Sequence, residues 1–217
     1  GTNGKTTTAT LLYQLFSRLN KKVGLISTVV NKIGEEIIPS THTTPDPFSI
    51  NALLRKMLDQ GCEYCFMEVS SHAVDQKRIH GLIFTGAVFT NITHDHLDYH
   101  QTFAAYLKAK KSFFDALPNN AFALTNRDDR NGEVMLQNCQ AKHHTYALLS
   151  MADFKAIVLE NELTGLVLKI QGTEVNTKLI GKFNAYNLLA VYSVGILLGI
   201  SEMTVLTALS TLEAVEG

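Results

Sequence analysis

Apolar residues recur at helical spacing between Lys5 and Leu19, at Ala9, Leu11, Leu12, Leu15, Phe16 and Leu19, and a short β-type run from Val23 to Thr28 follows. The pattern predicts a helix leading into a strand. Val29 to Pro39 alternates around Asn31-Lys32 and Gly34-Glu35, a β excursion ahead of a loop rich in Thr and Pro. Asp46 caps a second helix whose first residue is Pro47 and whose apolar positions are Ile50, Leu53, Leu54, Met57 and Leu58, with a stop at Gly61. Tyr64 to Val69 is the next strand. Ile83 to Asn91 is another, followed by a polar loop of His and Asp.

Thr102 begins a helix through Phe103, Tyr106, Leu107, Phe113 and Phe114 that ends before Pro118. Ala121 to Thr125 and His143 to Ala147 read as strands, with a short helix near Arg130 to Asn138 between them. Strands alternating with helices of this length imply an α/β fold with a mainly parallel sheet flanked by helices. From Phe154 to Ile180 the pattern changes to β runs parted at Asn161-Glu162 and Gln171-Gly172, a small antiparallel meander. Two helices close the chain, Asn184 to Leu198 and, capped by Ser201, Thr204 to Leu212. No internal repeat is visible.

At 217 residues the chain makes one large domain or one and a half, at about 100–200 residues per domain. Its 46% hydrophobic and 18% charged residues suit a buried core and exclude disorder. Nineteen basic against 20 acidic side chains leave a formal charge of −1, so neither nucleic acid nor an acidic membrane is the implied partner. The apolar stretch Leu188 to Ile200 is broken by Tyr192, Ser193 and two glycines and is shorter than the roughly 18–20 residues of a span, which implies a buried helix and no membrane insertion. No secretory signal opens the chain, and three cysteines make no disulfide framework, so the expected location is cytoplasmic. Cys62 and Cys65 form a C-x-x-C, but positions three apart in a strand face opposite ways and cannot jointly hold a metal.

Gly1-Thr2-Asn3-Gly4-Lys5-Thr6-Thr7 sits immediately before the first helix, where a phosphate loop must be. Its glycines let backbone N–H groups turn inward, and the helix N-terminus adds partial positive charge. Lys5 can neutralise phosphate oxygens, and the Thr6 hydroxyl can ligate Mg²⁺. The general G-x-x-x-x-G-K-[ST] pattern starts one residue before Gly1, so its first glycine and the strand feeding the loop are not in the chain. Glu68 ends the strand Tyr64 to Val69 at the edge where ligands sit in open α/β sheets, and there a carboxylate can bind Mg²⁺. Thr93 to His100 holds three His and two Asp, a set suited to ordering a second Mg²⁺ and phosphate more than zinc, since no Cys partner is nearby. Lys108, Lys110 and Lys111 follow on the next helix, and for two of the three a solvated basic face is the expectation.

Taken together, these motifs resemble the Mur ligase family. They are Gly1 to Thr7, the Thr43-Thr44-Pro45 loop, Glu68-Val-Ser-Ser-His, Asn91 with Asp95-His96-Leu97-Asp98, Lys110, and Gly181-Lys-Phe-Asn184-Ala-Tyr-Asn187, in the family's order. Within the family the likeness is greatest to the branch that makes UDP-N-acetylmuramoyl-tripeptide. It covers residues 1–217 and corresponds to the central ATP-binding domain alone. The family's N-terminal domain for the uridine nucleotide and C-terminal domain for the incoming amino acid are not in the chain.

The resemblance implies an ATP-dependent ligase that adds a diamino acid, meso-diaminopimelate or L-lysine, to UDP-N-acetylmuramoyl-L-alanyl-D-glutamate through an acyl phosphate. Gly1, Thr2, Asn3, Gly4, Lys5, Thr6 and Thr7 would hold the ATP phosphates, with Thr6 and Glu68 on one Mg²⁺. His96 would share a second Mg²⁺ with Glu68 and with Lys110 as a carbamate, a hard anionic oxygen ligand where an ammonium would repel the ion. By the resemblance Asn184 and Asn187, one helical turn apart, would face adenine, whereas the residues alone favour a pair of helix caps. Thr43, Thr44, Ser70, Gln76 and Arg78 match contacts to the UDP-muramoyl-dipeptide. His42 stands where many relatives have Asn before the Thr pair. The implied enzyme is a cytoplasmic monomer acting on small molecules.

Other readings make different demands. Another Mur ligase or a folylpolyglutamate synthase would share the phosphate loop but differ in acceptor. A P-loop switch or motor would turn over nucleotide with no acceptor, and gives Lys110 and the Asn184/Asn187 pair no role. A module that only binds nucleotide is the outcome expected of the isolated chain.

Overall fold

The computed structural model describes residues 2–93 and 97–215. These fall into two compact units, one of residues 5–82 with 214–215 and the other of residues 2–4 with 83–213.

The unit of residues 5–82 runs α1 (Lys5–Arg18), β1 (Val23–Ile26), β2 (Val30–Ile33), β3 (Glu36–Pro39), α2 (Pro47–Asp59), β4 (Tyr64–Met67) and α3 (Ser71–Asp75). Its four strands lie in the order β3-β2-β1-β4. β1 and β4 are parallel, Val23 facing Tyr64 and Ile26 facing Met67, whereas β2 and β3 fold back antiparallel as the excursion in the sequence implies. Alternation along β4 sends its side chains to two helices. The Phe16 ring of α1 lies 4.7 Å from the Tyr64 ring and 5.1 Å from that of Phe66. Met67 and Cys65 instead join Ile26, Ile33 and Met57 of α2. Leu11, Leu15 and Phe16 are wholly buried, and each contributes about 1.5–3 kcal/mol on leaving water. α2 starts where Asp46 accepts hydrogen bonds from the N–H groups of Phe48 (2.9 Å) and Ser49 (3.1 Å), with Pro47 in its first turn. Gly61, at φ +77°, follows its last turn.

β4 begins only at Tyr64, so Cys62 precedes the strand, and the opposite-face expectation for the two thiols does not apply. Both pack against the Ile26–Met57 cluster, and both are free thiols. Burial, with Cys62 nearby, pushes the Cys65 thiol up to about 12.

The other unit runs β5 (Gly86–Phe89), α4 (Leu97–His100), α5 (Phe103–Asp115), β6 (Phe122–Asn126), α6 (Gly132–Leu136), β7 (Lys142–Ala147), β8 (Phe154–Glu162), β9 (Gly165–Ile170), β10 (Thr173–Thr177), α7 (Lys182–Leu197) and α8 (Glu202–Leu209). Its six strands lie in the order β10-β9-β8-β7-β6-β5. β5 to β8 are parallel, and β8 to β10 form the antiparallel meander. β6 is buried along its whole length. Tyr106 and Phe114 of α5 and Met135 of α6 pack with Ala87, Phe89 and Ala123 of the sheet. α7 is buried on nearly every side, against β6 to β9 and against α8, which accounts for the apolar stretch after Leu188. Among the described residues no helix is long and apolar enough to cross a membrane.

Several boundaries differ from the sequence pattern; α7 and α8, for example, each begin two residues earlier, at Lys182 and Glu202. β5 spans only Gly86–Phe89, because the Thr90 and Asn91 carbonyls leave the ladder to accept from Asn126 Nδ2 and the Thr2 N–H, and Ile83 is exposed. The first meander turn falls after Glu162, which still pairs with Gly165 in the ladder, and not at Asn161-Glu162. α3 and α4 lie in segments that carry no helical periodicity. The second meander turn is at Gln171-Gly172, both at positive φ (47° and 95°), as a two-residue hairpin of type I′ requires.

Candidate active-site residues

Within the unit of residues 5–82, Lys5 and Thr6 open α1 and Glu68 follows β4. Glu68 is 2% exposed. Its carboxylate accepts the Thr6 hydroxyl on Oε2 (3.0 Å), the Thr28 backbone N–H on Oε1 (2.7 Å) and the Thr28 hydroxyl on Oε2 (3.1 Å). Among the described residues no basic side chain pairs with it. A buried carboxylate beside a threonine hydroxyl is a hard-oxygen pair of the kind Mg²⁺ prefers, so these two residues fit the ion. Lys5 and Thr7 are half-buried at the same helix start.

Four of the five residues matched to the acceptor substrate gather beside Glu68. The Thr44 hydroxyl donates to the Glu68 backbone carbonyl (2.8 Å) and accepts the Ser70 N–H (3.1 Å). Ser70 in turn caps α3 by accepting the Ala73 N–H. Arg78 donates through Nη1 to the Thr44 carbonyl (2.7 Å) and through Nε and Nη2 to Gln76 Oε1. The guanidinium is thereby locked in one orientation. Thr43 is half-buried, and His42 is exposed with its ring 3.1 Å from the Thr41 hydroxyl.

Within the other unit, the start of the glycine-rich loop rests on the segment after β5. The Thr2 N–H donates to the Asn91 carbonyl (2.8 Å), the Asn3 N–H to Asn91 Oδ1 (2.9 Å), and the Asn3 carbonyl accepts from the Thr90 hydroxyl (2.7 Å) and Asn91 Nδ2 (3.1 Å). That segment is held from β6 and the turn after it: Asn126 Nδ2 donates to the Thr90 carbonyl, and Asp129 accepts the Ile92 N–H. Gly4 has φ +80°, and a Cβ there would meet Asn187 Oδ1 at 2.5 Å. A loop whose glycine can carry no side chain is what close backbone approach to phosphate demands. Gly1 lies outside the described residues.

Asn184 and Asn187 are neither free nor helix caps in the usual sense. α7 starts at Lys182 after Gly181 at φ +88°. Asn187 Nδ2 donates to Asn184 Oδ1 (3.1 Å), and Asn184 Nδ2 donates back to the Ile180 carbonyl (2.8 Å). The two amides form a chain anchored outside the helix.

Of the three lysines of α5, Lys110 is buried, 7% exposed, with Nζ 4.7 Å from the Tyr106 ring centroid. Lys108 is exposed. Lys111 departs from the expected solvated face: its side chain is 16% exposed and donates to Asp115 and to the Gln137 carbonyl. The expected ligand His96 lies outside the described residues, as do His94 and Asp95. Among the described residues no group of three or more His, Cys, Asp or Glu converges as a metal site.

Sequence reasoning overlooked Thr28, Tyr106, Asp128 and Tyr186. Thr28 follows a parallel strand at the same edge as Glu68, a position that could have marked it. The Asp128 carboxylate accepts the N–H groups of Leu148, Leu149 and Ser150 and the Tyr186 hydroxyl, all at 2.8–2.9 Å. Burial alone would raise this carboxyl; the bonds donated by Leu149, Ser150 and Leu148 more than offset it and hold Asp128 at about 2. Burial and the bond to Asp128 raise the Tyr186 phenol.

The chain is 62% identical over all 217 residues to a UDP-N-acetylmuramoyl-L-alanyl-D-glutamate–2,6-diaminopimelate ligase of Phocaeicola vulgatus and 57% identical over the same length to one of Cytophaga hutchinsonii. It spans 45% of the length of each of these relatives. A solved structure of an enzyme with the same description superimposes on the whole chain with a TM-score of 0.91 at 31% identity, the match covering 46% of that chain. The family model of the Mur ligase middle domain matches residues 1–195, and the chain belongs to the Mur ligase family.

Proposed function

We propose that the chain is the ATP-binding middle domain of a cytoplasmic, monomeric ligase that joins meso-diaminopimelate to UDP-N-acetylmuramoyl-L-alanyl-D-glutamate in peptidoglycan precursor synthesis. The observation that carries this reading is the buried Glu68 carboxylate held against the Thr6 hydroxyl at the first turn of the helix that follows a phosphate-loop sequence. The choice of diamino acid rests on the relatives described as 2,6-diaminopimelate ligases.

In this reading the loop Gly1–Thr7 holds the triphosphate, Lys5 neutralises its transferring end, and Thr6 with Glu68 holds Mg²⁺. Mg²⁺ supplies charge neutralisation at the phosphoryl group and fixes its orientation. His96, Glu68 and carbamylated Lys110 are assigned to a second ion. Asn184 and Asn187 face the adenine, pre-oriented by their bonds to each other and to Ile180. Thr43, Thr44, Ser70, Gln76 and Arg78 hold the acceptor.

A carboxylate does not acylate an amine at neutral pH until its oxygen becomes a good leaving group. The acceptor carboxylate oxygen therefore attacks the γ-phosphorus and ADP leaves. The diamino acid nitrogen then attacks the acyl carbon, losing a proton, and phosphate leaves. No side chain need act as nucleophile; alignment and charge suffice.

The test is phosphate release from ATP by the full-length protein, with the muramoyl-dipeptide acceptor and diaminopimelate, L-lysine or no amino acid. Release that needs both acceptor and diaminopimelate supports the reading. Release with neither overturns it in favour of a nucleotide switch.

A further inference from the structure

We propose that Tyr106 is a positioning residue for this reaction, its hydroxyl fixing Thr2 of the phosphate loop and its ring seating Lys110. The inference rests on the ATP-ligase reading above and deepens it.

Tyr106 is fully buried in α5, and a buried phenol must direct its hydroxyl to a partner. That partner is the Thr2 hydroxyl, 2.9 Å away and 104 residues distant in sequence. Thr2 Oγ1 also accepts the Thr93 N–H (3.1 Å), and its own N–H is bound by the Asn91 carbonyl. Thr2 is therefore held from three directions. Loop N–H groups bind phosphate only when aimed before the ligand arrives, so a residue that stops Thr2 turning acts on affinity without touching the nucleotide.

The ring has a separate task. Lys110 is one helical turn after Tyr106, and its Nζ lies over the ring at 4.7 Å. The His100 ring is 5.2 Å away, tilted 34°, and Phe103 meets Tyr106 at 6.5 Å nearly edge-on. Packed against both rings, Tyr106 is held in place beneath the lysine. Hydroxyl and ring can be removed separately, which lets the two tasks be told apart.

The experiment compares ATP affinity and steady-state kinetics of the full-length protein with Tyr106→Phe, Thr2→Val, the double variant and Tyr106→Leu. Tyr106→Phe is expected to raise the ATP Kd and KM roughly three- to tenfold, the range for one lost hydrogen bond, with kcat within about twofold. Thr2→Val should raise both at least as much, because it also removes the acceptor of the Thr93 N–H, and the double variant should be no worse than Thr2→Val alone, since the bond to Tyr106 is already lost in it. Tyr106→Leu should also lower kcat, a loss absent from Tyr106→Phe, which keeps the ring under Lys110. If Tyr106→Leu does not fold, the Phe and Val variants carry the test.

An unchanged ATP Kd in Tyr106→Phe, additive effects of the two single variants, or equal kcat in the Leu and Phe variants would overturn the proposal. Failure of the unsubstituted protein to bind ATP overturns the ligase reading and this one together. Normal binding with an unaffected Tyr106→Phe overturns this one alone.

Discussion

Asn187 closes over Gly4 so tightly that a Cβ on the glycine would lie 2.5 Å from its Oδ1. Glycine is required twice at this position, by that contact and by φ +80°. Gly4→Ala is expected to cost about 1–2 kcal/mol in backbone strain and about 1–3 kcal/mol in overpacking. The loop rather than the core has to yield, so ATP affinity should fall at least about tenfold while melting shifts by a few degrees. Calorimetric titration with ATP checks this, and wild-type affinity in the variant would remove Gly4 from the site.

Thr28 gives Glu68 two of its three donors, one from the backbone and one from its hydroxyl. Thr28→Val keeps the shape and the N–H and removes only the hydroxyl. A carboxylate that loses one of its guides is less well aimed at a cation, and the Mg²⁺ concentration for half-maximal phosphate release should rise roughly three- to tenfold. An unchanged Mg²⁺ titration would reduce Thr28 to a packing residue.

Asp128 sits at about 2 against its ordinary 3.8, so it is the ionised form that the fold favours. Its contribution to stability is complete above about pH 4 and is lost as pH falls toward about pH 2. Asp128→Asn removes this dependence. The gap in melting temperature between the two proteins should be widest near neutrality and close below about pH 3, with its size kept modest by partial exposure of the group. A gap that does not vary with pH would show that the hydrogen bonds, and not the charge, matter.

Gly165 opens β9 at φ +143°, and a Cβ there would fall 1.9 Å from the Thr177 carbonyl oxygen. Backbone cannot move aside as a flexible side chain does. Gly165→Ala should lose about 1–3 kcal/mol in urea unfolding and leave ATP affinity unaltered. A variant as stable as the parent would mean that the hairpin from β9 to β10 adjusts freely.

The legibility of these features in the sequence follows the range of the interactions behind them. α2 was legible because Asp46, Pro47 and Gly61 act on their own neighbours, and α7 because its apolar run is continuous. Glu68 was legible because strand ends in parallel sheets are where ligands bind. Tyr106 reads in sequence as one more apolar position of α5, since its bond to Thr2 spans 104 residues and leaves no periodic trace. Lys111 fails for the same reason: nothing near it announces the Gln137 carbonyl. The Cys62–Cys65 spacing misled because strand alternation was extended to Cys62, which lies before β4 and turns to the same cluster as Cys65.

Cys65 pairs with Gly24 across the sheet and stands three residues before Glu68, which directly follows the same strand. With its thiol pushed up to about 12, it carries almost no thiolate near neutrality, and thiol reagents attack the thiolate. Alkylation is therefore slow while β4 stays in the sheet and faster once it detaches and the thiol returns to its ordinary range. The sulfur is a clock built into the strand that delivers Glu68, and its labelling rate in the presence and absence of nucleotide would time how long that strand stays in place.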